Sequence, residues 1–127
     1  MLDTKTMGPR ALAFVLSEGN GMISREVVTI ASGAGKLEPG TLLGQITASK
    51  KYVGSPAAQV VGKEGAETAT ALLAYEVDAT SADVEAVVIK RVAEVKTPML
   101  IFDASVNDST KKAAKLTQLA ASTIIAR

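Results

Sequence analysis

The sequence contains no cysteine, no histidine and no tryptophan, and it has only two tyrosines and two phenylalanines. Without cysteine the chain can form neither a disulfide framework nor a reactive thiolate, and a reducing cytosol suits it. Without histidine it lacks the commonest general base and the commonest metal ligand. Aromatic side chains usually bring the largest single contributions to a core. This core must therefore be packed from Ala, Val, Leu and Ile, and we expect burial between subunits to supplement it.

The chain also has little net charge and no long apolar run. Fourteen Lys and Arg against thirteen Asp and Glu give a net charge of +1, which predicts no basic surface for nucleic acid. No apolar run approaches the roughly 18 residues of a membrane span, and the N-terminus lacks the basic-then-apolar order of a signal peptide. A chain of 127 residues is long enough for one core, so we expect a soluble, intracellular, single-domain product.

The most informative stretch is residues 25–47, which predicts two β-strands joined by a glycine-containing turn. Val27, Val28, Thr29 and Ile30 are β-branched and fit a half-buried pleated surface, so they form the first strand. Gly33, Gly35 and the Pro39-Gly40 pair supply the backbone angles of turns. The chain begins again as a strand after them.

The elements predicted for the rest of the chain give the fold class. In order they are a hairpin tip at 48–51, a returning strand from 52, a loop at 54–67, a strand at 70–77, a turn at 78–83, a strand at 84–95, a helix from 109 to about 122 and a last strand at 123–126. Residues 84–95 alternate only partly, so a helix is the alternative there. The prediction is a mainly β fold with helical additions (α+β), a small barrel with a C-terminal helix.

The predicted helix has a capping sequence and an apolar stripe. Asn107-Asp108-Ser109 offers side-chain oxygens to the first turn. The stripe consists of Ala113, Leu116, Leu119 and Ala120. The other faces carry three residues that we predict to be solvated, Lys111, Lys112 and Lys115.

Residues 1–20 are predicted to form a flexible N-terminal arm and residues 21–127 the single domain. Residues 1–10 are polar and offer no face to bury. The apolar run Ala11 to Leu16 that follows has two interpretations. It is either an ordinary first strand of the core or an extended segment that pairs with a strand edge on another chain.

Motifs that would carry catalysis are incomplete. Gly35-Lys36 lacks the earlier glycine and the following Ser or Thr of a phosphate-binding loop, and Gly19-Asn20-Gly21 lacks the third glycine of a dinucleotide fingerprint. The carboxylate pairs Glu76 with Asp78 and Asp83 with Glu85 lie at turn edges, where solvated charge is expected rather than acid–base chemistry. The sequence therefore predicts no enzyme, no metal site and no cofactor.

A hairpin lysine gives one alternative function. The run Leu37 to Ile46 has the rhythm of small flattened barrels such as biotin and lipoate carriers, whose cofactor is carried by a lysine at a hairpin tip. Lys50 and Lys51 lie near such a tip. The residues flanking this tip are not those that modifying enzymes recognise, and a hairpin lysine is usually a solubilising charge.

A series of motifs resembles the head decoration proteins of tailed bacteriophages, relatives of the lambda capsid-stabilising protein. The likeness covers about Phe14 to Arg127. The motifs, in order, are Ser-Glu-x-Asn-Gly, Ser-Arg-Glu-x-Val-Thr-Ile, Leu-x-Pro-Gly-Thr-Leu-Leu-Gly, Val-Asp-Ala-Thr-x-Ala-Asp and the Ala-Glu-Val before the helix. The resemblance implies a β-clip-like fold and a homotrimer. It also implies binding to the major capsid protein at threefold and quasi-threefold positions of an expanded head, on the outer surface of the virion, after synthesis in the host cytoplasm.

The resemblance also implies which residues contact the capsid. In that family the N-terminal segment orders on binding and adds a strand to an edge of the capsid protein. Carried onto this chain, the role falls to nine residues and favours the second interpretation of the N-terminal apolar run. They are Leu12, Ala13, Phe14, Val15, Leu16, Ser17, Glu18, Gly19 and Asn20.

Overall fold

The computed structural model describes residues 8–127. Within these residues the chain forms short strands, two helices and one 3₁₀ turn. In order they are β1 (Val15–Glu18), α1 (Gly21–Ser24), β2 (Arg25–Ile30), β3 (Gly35–Leu37), β4 (Leu42–Gln45), β5 (Tyr52–Gly54), β6 (Ala69–Leu73), β7 (Val77–Ala79), β8 (Val84–Ile89), β9 (Ala93–Val95), the 3₁₀ turn (Thr97–Met99), α2 (Ser109–Ala120) and β10 (Ile124–Ala126). The prediction of a mainly β fold with a C-terminal helix is confirmed.

Five strands close into a barrel in the order β2-β5-β4-β6-β8. All neighbouring pairs are antiparallel except β2 with β5. The longest ladder joins β2 to β8 over six residue pairs, from Arg25 opposite Ile89 to Ile30 opposite Val84. Closure leaves the barrel without a free strand edge, so its strands are not available for pairing with another chain.

The barrel interior is filled mainly by aliphatic side chains and one tyrosine. Because side chains alternate along a strand, every second residue points inward. The interior cluster comprises Ile30, Leu43, Tyr52, Ala71, Leu73, Ala86 and Val88 of the barrel strands, together with Ala79 of β7. Many of these are small, which suits the narrow interior of a five-stranded barrel.

A second core lies outside the barrel. Leu42, Leu72 and Ile89 are in register across β4, β6 and β8, and they belong to a buried cluster that also contains residues of the other elements. These partners are Phe14, Val95, Leu119 and Ile124. A three-stranded sheet in the order β1-β9-β10 and helix α2 therefore cover one outer face of the barrel.

Two predicted strands are each divided in the structure. The strand predicted at 70–77 splits into β6 and β7, and the strand predicted at 84–95 splits into β8 and β9. The second break has a clear cause, because Lys90 N–H and Arg91 N–H both donate to the carbonyl of Ser24. Val92 then takes a φ of 53°, which turns the chain from the barrel into the small sheet.

The predicted turns at 33–40 and 78–83 also contain a short sheet that the sequence pattern does not show. Strand β3 pairs antiparallel with β7, with Gly35 opposite Ala79 and Leu37 opposite Val77. Half-buried Leu37 and Val77 pack against the barrel interior cluster, so this ribbon closes one end of the barrel.

The loop predicted at 54–67 is confirmed apart from its first residue, which ends β5. The loop packs on β4, where a Cβ added to Gly44 would lie only 2.0 Å from the carbonyl oxygen of Ala66. Glycine at position 44 thus permits a close backbone approach that no other residue allows.

Helix α2 begins as predicted, but only Leu116 and Leu119 of the predicted stripe pack against the core. Asp108 caps it by accepting a hydrogen bond from Lys111 N–H at 2.8 Å. The buried residues are Lys115 and Leu119, whereas Ala113 and Ala120 of the predicted stripe are exposed. The prediction that Lys115 is solvated is wrong, since only 2% of its surface is exposed.

The Lys115 ammonium is held by oxygen atoms of the 55–68 loop. Its Nζ donates to Ser55 Oγ at 2.8 Å, to the Pro56 carbonyl at 2.6 Å and to the Glu67 carbonyl. Three acceptors match the three donors of an ammonium group. Burial lowers the pKa of Lys115, but these bonds identify the lysine as a link between helix and loop.

We expect Gly44→Ala to lower the free energy of unfolding by about 2 kcal/mol or more, because the new methyl group forces β4 and the loop apart. Gly54→Ala on neighbouring β5 is the matched control, since its Cβ would meet nothing closer than 3.8 Å. Urea denaturation of both variants measures the difference. Equal losses in the two variants would contradict the packing described here.

We expect Lys115→Met to cost roughly 2 kcal/mol or more, because it leaves buried carbonyl groups without a donor. Hydrogen exchange should accelerate selectively at amides of residues 55–68. Lys111→Met removes an exposed charge from the same helix and should leave both measurements nearly unchanged. Unaltered exchange in the loop of the Lys115 variant would argue against the link.

Candidate functional site

The nine residues assigned to capsid contact lie in β1 and in the turns on either side of it. Strand β1 pairs antiparallel with β9, and β9 pairs parallel with β10. Strand β1 is therefore at one edge of the three-stranded sheet, with no second partner among residues 8–127. An unpaired strand edge offers main-chain donors and acceptors to another chain.

The structure divides these nine residues by burial. Phe14 is 1% exposed and packs in the core outside the barrel. Leu16 is 50% exposed, and Ser17 and Asn20 are also exposed. The other five are half-buried, namely Leu12, Ala13, Val15, Glu18 and Gly19. Phe14 thus anchors the segment on its own subunit, while Leu16 and Ser17 face outward.

The turn before β1 is fixed to the barrel. Leu12 N–H donates to the Ala74 carbonyl at 3.0 Å, and Leu12 has a φ of 59°. On the other side, Lys96 N–H donates to the Phe14 carbonyl at 2.7 Å. The predicted boundary at residue 20 therefore falls after a packed strand. Residues 1–7 lie outside the described residues, so the prediction of a flexible arm there stays a prediction.

An ion pair holds the end of β1 against the barrel. Glu18 accepts hydrogen bonds from Ser24 Oγ at 2.6 Å and from Arg25 Nε at 3.1 Å. The hydrogen bond from the Arg25 guanidinium, opposed in part by desolvation, lowers the pKa of Glu18. The same bond raises the pKa of Arg25. The pair fixes the position of β1 relative to β2.

Exposed apolar side chains lie on the three-stranded sheet and on the elements next to it. We call them the apolar rim, and they are Leu16 on β1, Met22 and Ile23 on α1, Val92 between β8 and β9, and Ile125 on β10. Met22 is 91% exposed. A backbone hydrogen bond from Gly19 N–H to the Val92 carbonyl, 2.7 Å long, joins two of these elements. Grouped exposed apolar residues are typical of protein–protein contact sites.

A shallow groove runs beside β1 and continues the apolar rim. Its volume is about 330 Å³. The residues that line it are Ser17, Glu18, Gly19, Val92, Ala93, Glu94, Thr123 and Ile125. Three of the nine predicted residues thus share one surface with β9 and β10.

Carboxylates singled out from the sequence have local structural partners. Glu76 forms an ion pair with Lys36 at 3.0 Å. Asp78 accepts a hydrogen bond from the Thr80 hydroxyl, which lowers the pKa of Asp78. Asp83 pairs with Lys51 at 2.6 Å, and this bond lowers the pKa of Asp83. These carboxylates stabilise turns and do not face one another across a cleft.

The two lysines considered as cofactor attachment sites lie at the hairpin between β4 and β5. Lys51 is held in the ion pair with Asp83, and Lys50 lies at the tip with a φ of 64°.

Within residues 8–127 no group of three or more acidic side chains could hold a metal ion. No helix in this part of the chain is long and apolar enough to cross a membrane.

Fold and surface together define a structural interaction protein: a closed barrel that carries a small sheet with an open strand edge and an apolar rim. The comparison with protein families is more specific. The family model of the bacteriophage lambda head decoration protein D matches residues 4–124, so the chain belongs to this family. This is a family of structural proteins that decorate the phage capsid, and it is not a family of enzymes. No curated protein matches the chain.

The sequence pattern missed most of the apolar rim. Met22 and Ile23 follow a turn and directly precede the first barrel strand, and Ile125 lies in the predicted last strand. Their exposure depends on where β9 and β10 lie. The one local signal was the position of Met22 directly after Asn20-Gly21, a sequence typical of surface turns.

The Glu18–Arg25 ion pair predicts a pH dependence of stability. A carboxylate with a lowered folded pKa stabilises the fold above its ordinary value of 4.5, and this stabilisation is lost as the pH falls through the folded value. Glu18→Gln should therefore lower the melting temperature near neutral pH, and the difference from the parent should shrink below about pH 4. Glu76→Gln, which removes an exposed ion pair, is the control. A constant Glu18 difference across this range would contradict the assignment.

Proposed function

We propose that the protein binds as a homotrimer at threefold and quasi-threefold positions of an expanded phage head and stabilises the shell against the pressure of packaged DNA. Its partner is the major capsid protein, and its place is the outer surface of the capsid. Membership of the decoration protein family supports the capsid setting. The observation that carries the assignment of the contact is the open edge of β1 beside the apolar rim.

Strand addition is the mode of contact that this edge supports best. An added strand receives main-chain hydrogen bonds from β1, while pockets for side chains supply specificity. Exposed Leu16 and the rim residues on α1 and β10 bury apolar area when the capsid strand docks. A specific contact of this kind typically buries on the order of 1,000 Å² or more.

Phe14 has a different part in this proposal from the other eight assigned residues. Its side chain is enclosed by the second core, so it holds β1 in place and does not reach the partner. The predicted arm that precedes β1 then extends the contact by ordering on the capsid. Ordering a flexible segment costs roughly 2–5 kcal/mol, so the arm binds stably only where the shell offers the complementary edge.

Threefold symmetry strengthens a contact of moderate area. Once one subunit of a trimer has docked, the other two are held at high effective concentration next to their own sites. Weak individual contacts therefore become difficult to remove together. This mechanism requires only surface complementarity and a rigid subunit, and both the closed barrel and the second core supply rigidity.

Leu16→Asp tests the contact with little risk to the fold, because half of the side chain is already exposed. We expect the purified variant to keep its melting temperature and its oligomeric state but to lose most of its occupancy on expanded shells, measured by sedimentation and gel densitometry. Val61→Asp, at a loop residue that is 95% exposed, is the matched control and should load normally. Normal loading of the Leu16 variant would exclude β1 as the contact.

The oligomeric state is a separate measurement. Light scattering of the parent protein should give the mass of three subunits, and a stable monomer would contradict the trimer. Phe14→Asp is unsuitable for either test, because a carboxylate in that buried position is expected to unfold the subunit.

A further inference from the structure

We propose that a polar cavity at one end of the barrel binds a small oxyanion of the phosphate class. The cavity has a volume of about 310 Å³ and lies where barrel strands meet the turn that follows helix α2. Seven residues line it, namely Gln45, Tyr52, Thr70, Lys90, Arg91, Ser122 and Thr123. This cavity is distinct from the groove beside β1, although Thr123 lines both.

Positive charge is concentrated on one side of the cavity. Lys90 and Arg91 are consecutive, and both contact the carboxylate of Glu26, at 3.4 Å and 2.7 Å. Glu26 does not line the cavity, so the two cations of the wall share one carboxylate, and Arg91 also donates to the Ile23 carbonyl. The Lys90 ammonium also lies 5.7 Å from the centre of the Tyr52 ring. The local excess of positive charge favours an anion.

An unsatisfied hydroxyl group lies at the cavity. Thr70 Oγ1 is the single buried side-chain polar atom without a hydrogen-bond partner among the residues that the structure describes. Buried polar atoms almost always have a partner in the protein or in a bound molecule. Thr70 lines the cavity, but its Oγ1 is itself buried, so a ligand oxygen accepts the hydrogen bond of this hydroxyl once the Thr70 side chain has rotated toward the cavity.

The backbone explains how Thr70 comes to face the cavity. The register between β4 and β6 shifts here, so that Leu43 is opposite Ala71 and Gly44 is opposite Ala69. Thr70 is therefore the extra residue of a β-bulge. Bulges redirect side chains and are common beside functional sites. Without this bulge, the regular alternation of side chains along β6 would not direct Thr70 toward the cavity.

The turn after helix α2 supplies further hydroxyl groups to the cavity. Ser122 and Thr123 follow helix α2, and Thr123 has a φ of 62°. The Thr123 carbonyl accepts a hydrogen bond from Ala93 N–H at 3.1 Å, which fixes this turn against the β8–β9 connection. β-Branched residues rarely adopt positive φ, and such strain is often found at binding sites.

The donors indicate a tetrahedral oxyanion rather than an apolar ligand. Two cations and several hydroxyl groups from different elements line the cavity, and such donors can contact oxygen atoms that point in different directions, as those of phosphate do. The cavity is larger than a bare phosphate ion, so a phosphate monoester also fits. Inorganic phosphate and glycerol 3-phosphate are therefore both suitable probes.

Isothermal titration calorimetry and ¹H–¹⁵N chemical-shift mapping of the full chain, at constant ionic strength, test the proposal. We expect saturable binding of inorganic phosphate, with shifts confined to amides near residues 70, 90, 91, 122 and 123. Tighter binding of glycerol 3-phosphate would support the site and assign the remaining volume to an ester group. Linear, non-saturating shifts or shifts spread over the surface would overturn it.

Two variants and one control separate the site from general charge effects. Lys90→Gln should weaken phosphate binding about tenfold or more, since a charge-assisted hydrogen bond is lost. Thr70→Val removes only the unpaired hydroxyl, so it should keep the melting temperature and still weaken binding. Lys63→Gln makes the same charge change on an exposed loop residue and should bind like the parent. Equal weakening by Lys63→Gln, or unchanged binding in both cavity variants, would overturn the proposal.

Discussion

Burial on both faces of the barrel sheet at β4, β6 and β8 is the constraint from which the rest of the structure follows. The interior is filled by small and aliphatic residues, and the outward row Leu42, Leu72 and Ile89 is fully buried as well. A barrel with such an outer face cannot stand alone in water, because exposed aliphatic area is costly. The small sheet and helix α2 must cover it. Because Phe14 packs in this covering layer, it holds the adjacent strand β1 at the edge of the small sheet.

Polar contacts fix the covering layer in one arrangement. Apolar packing alone permits sliding, whereas directional bonds do not. Glu18 and Arg25 join β1 to β2, and Lys115 joins α2 to the 55–68 loop. The Lys115 link is buried and fully hydrogen-bonded, so it also restrains a loop that would otherwise be long and mobile. The surface proposed for docking is therefore presented on a rigid subunit.

Local pattern was sufficient for the barrel strands and the helix but not for features set by distant parts of the chain. The β-branched run before Ile30 and the Asp108 cap are visible in the sequence, and both were confirmed. The burial of Lys115 could not be predicted, because its acceptors lie about 50 or more residues away along the chain. The break at Val92 was likewise hidden, since its positive φ is imposed by hydrogen bonds to Ser24. Of the candidate site, an extended segment in the apolar run Ala11 to Leu16 was predicted, but residues 11–14 form a turn and β1 covers Val15–Glu18. The α1 and β10 parts of the rim depend on the tertiary fold.

Strand β9 lies between β1 and β10, the first and the last strand of residues 8–127, antiparallel to β1 and parallel to β10. A force applied along β1 is consequently resisted in shear by several main-chain bonds at once, rather than by their successive rupture as in unzipping. The C-terminal strand shares this load through β9. The three-stranded sheet is therefore suited to bear a pulling force, because β1 and β10 are both hydrogen-bonded to the central strand β9.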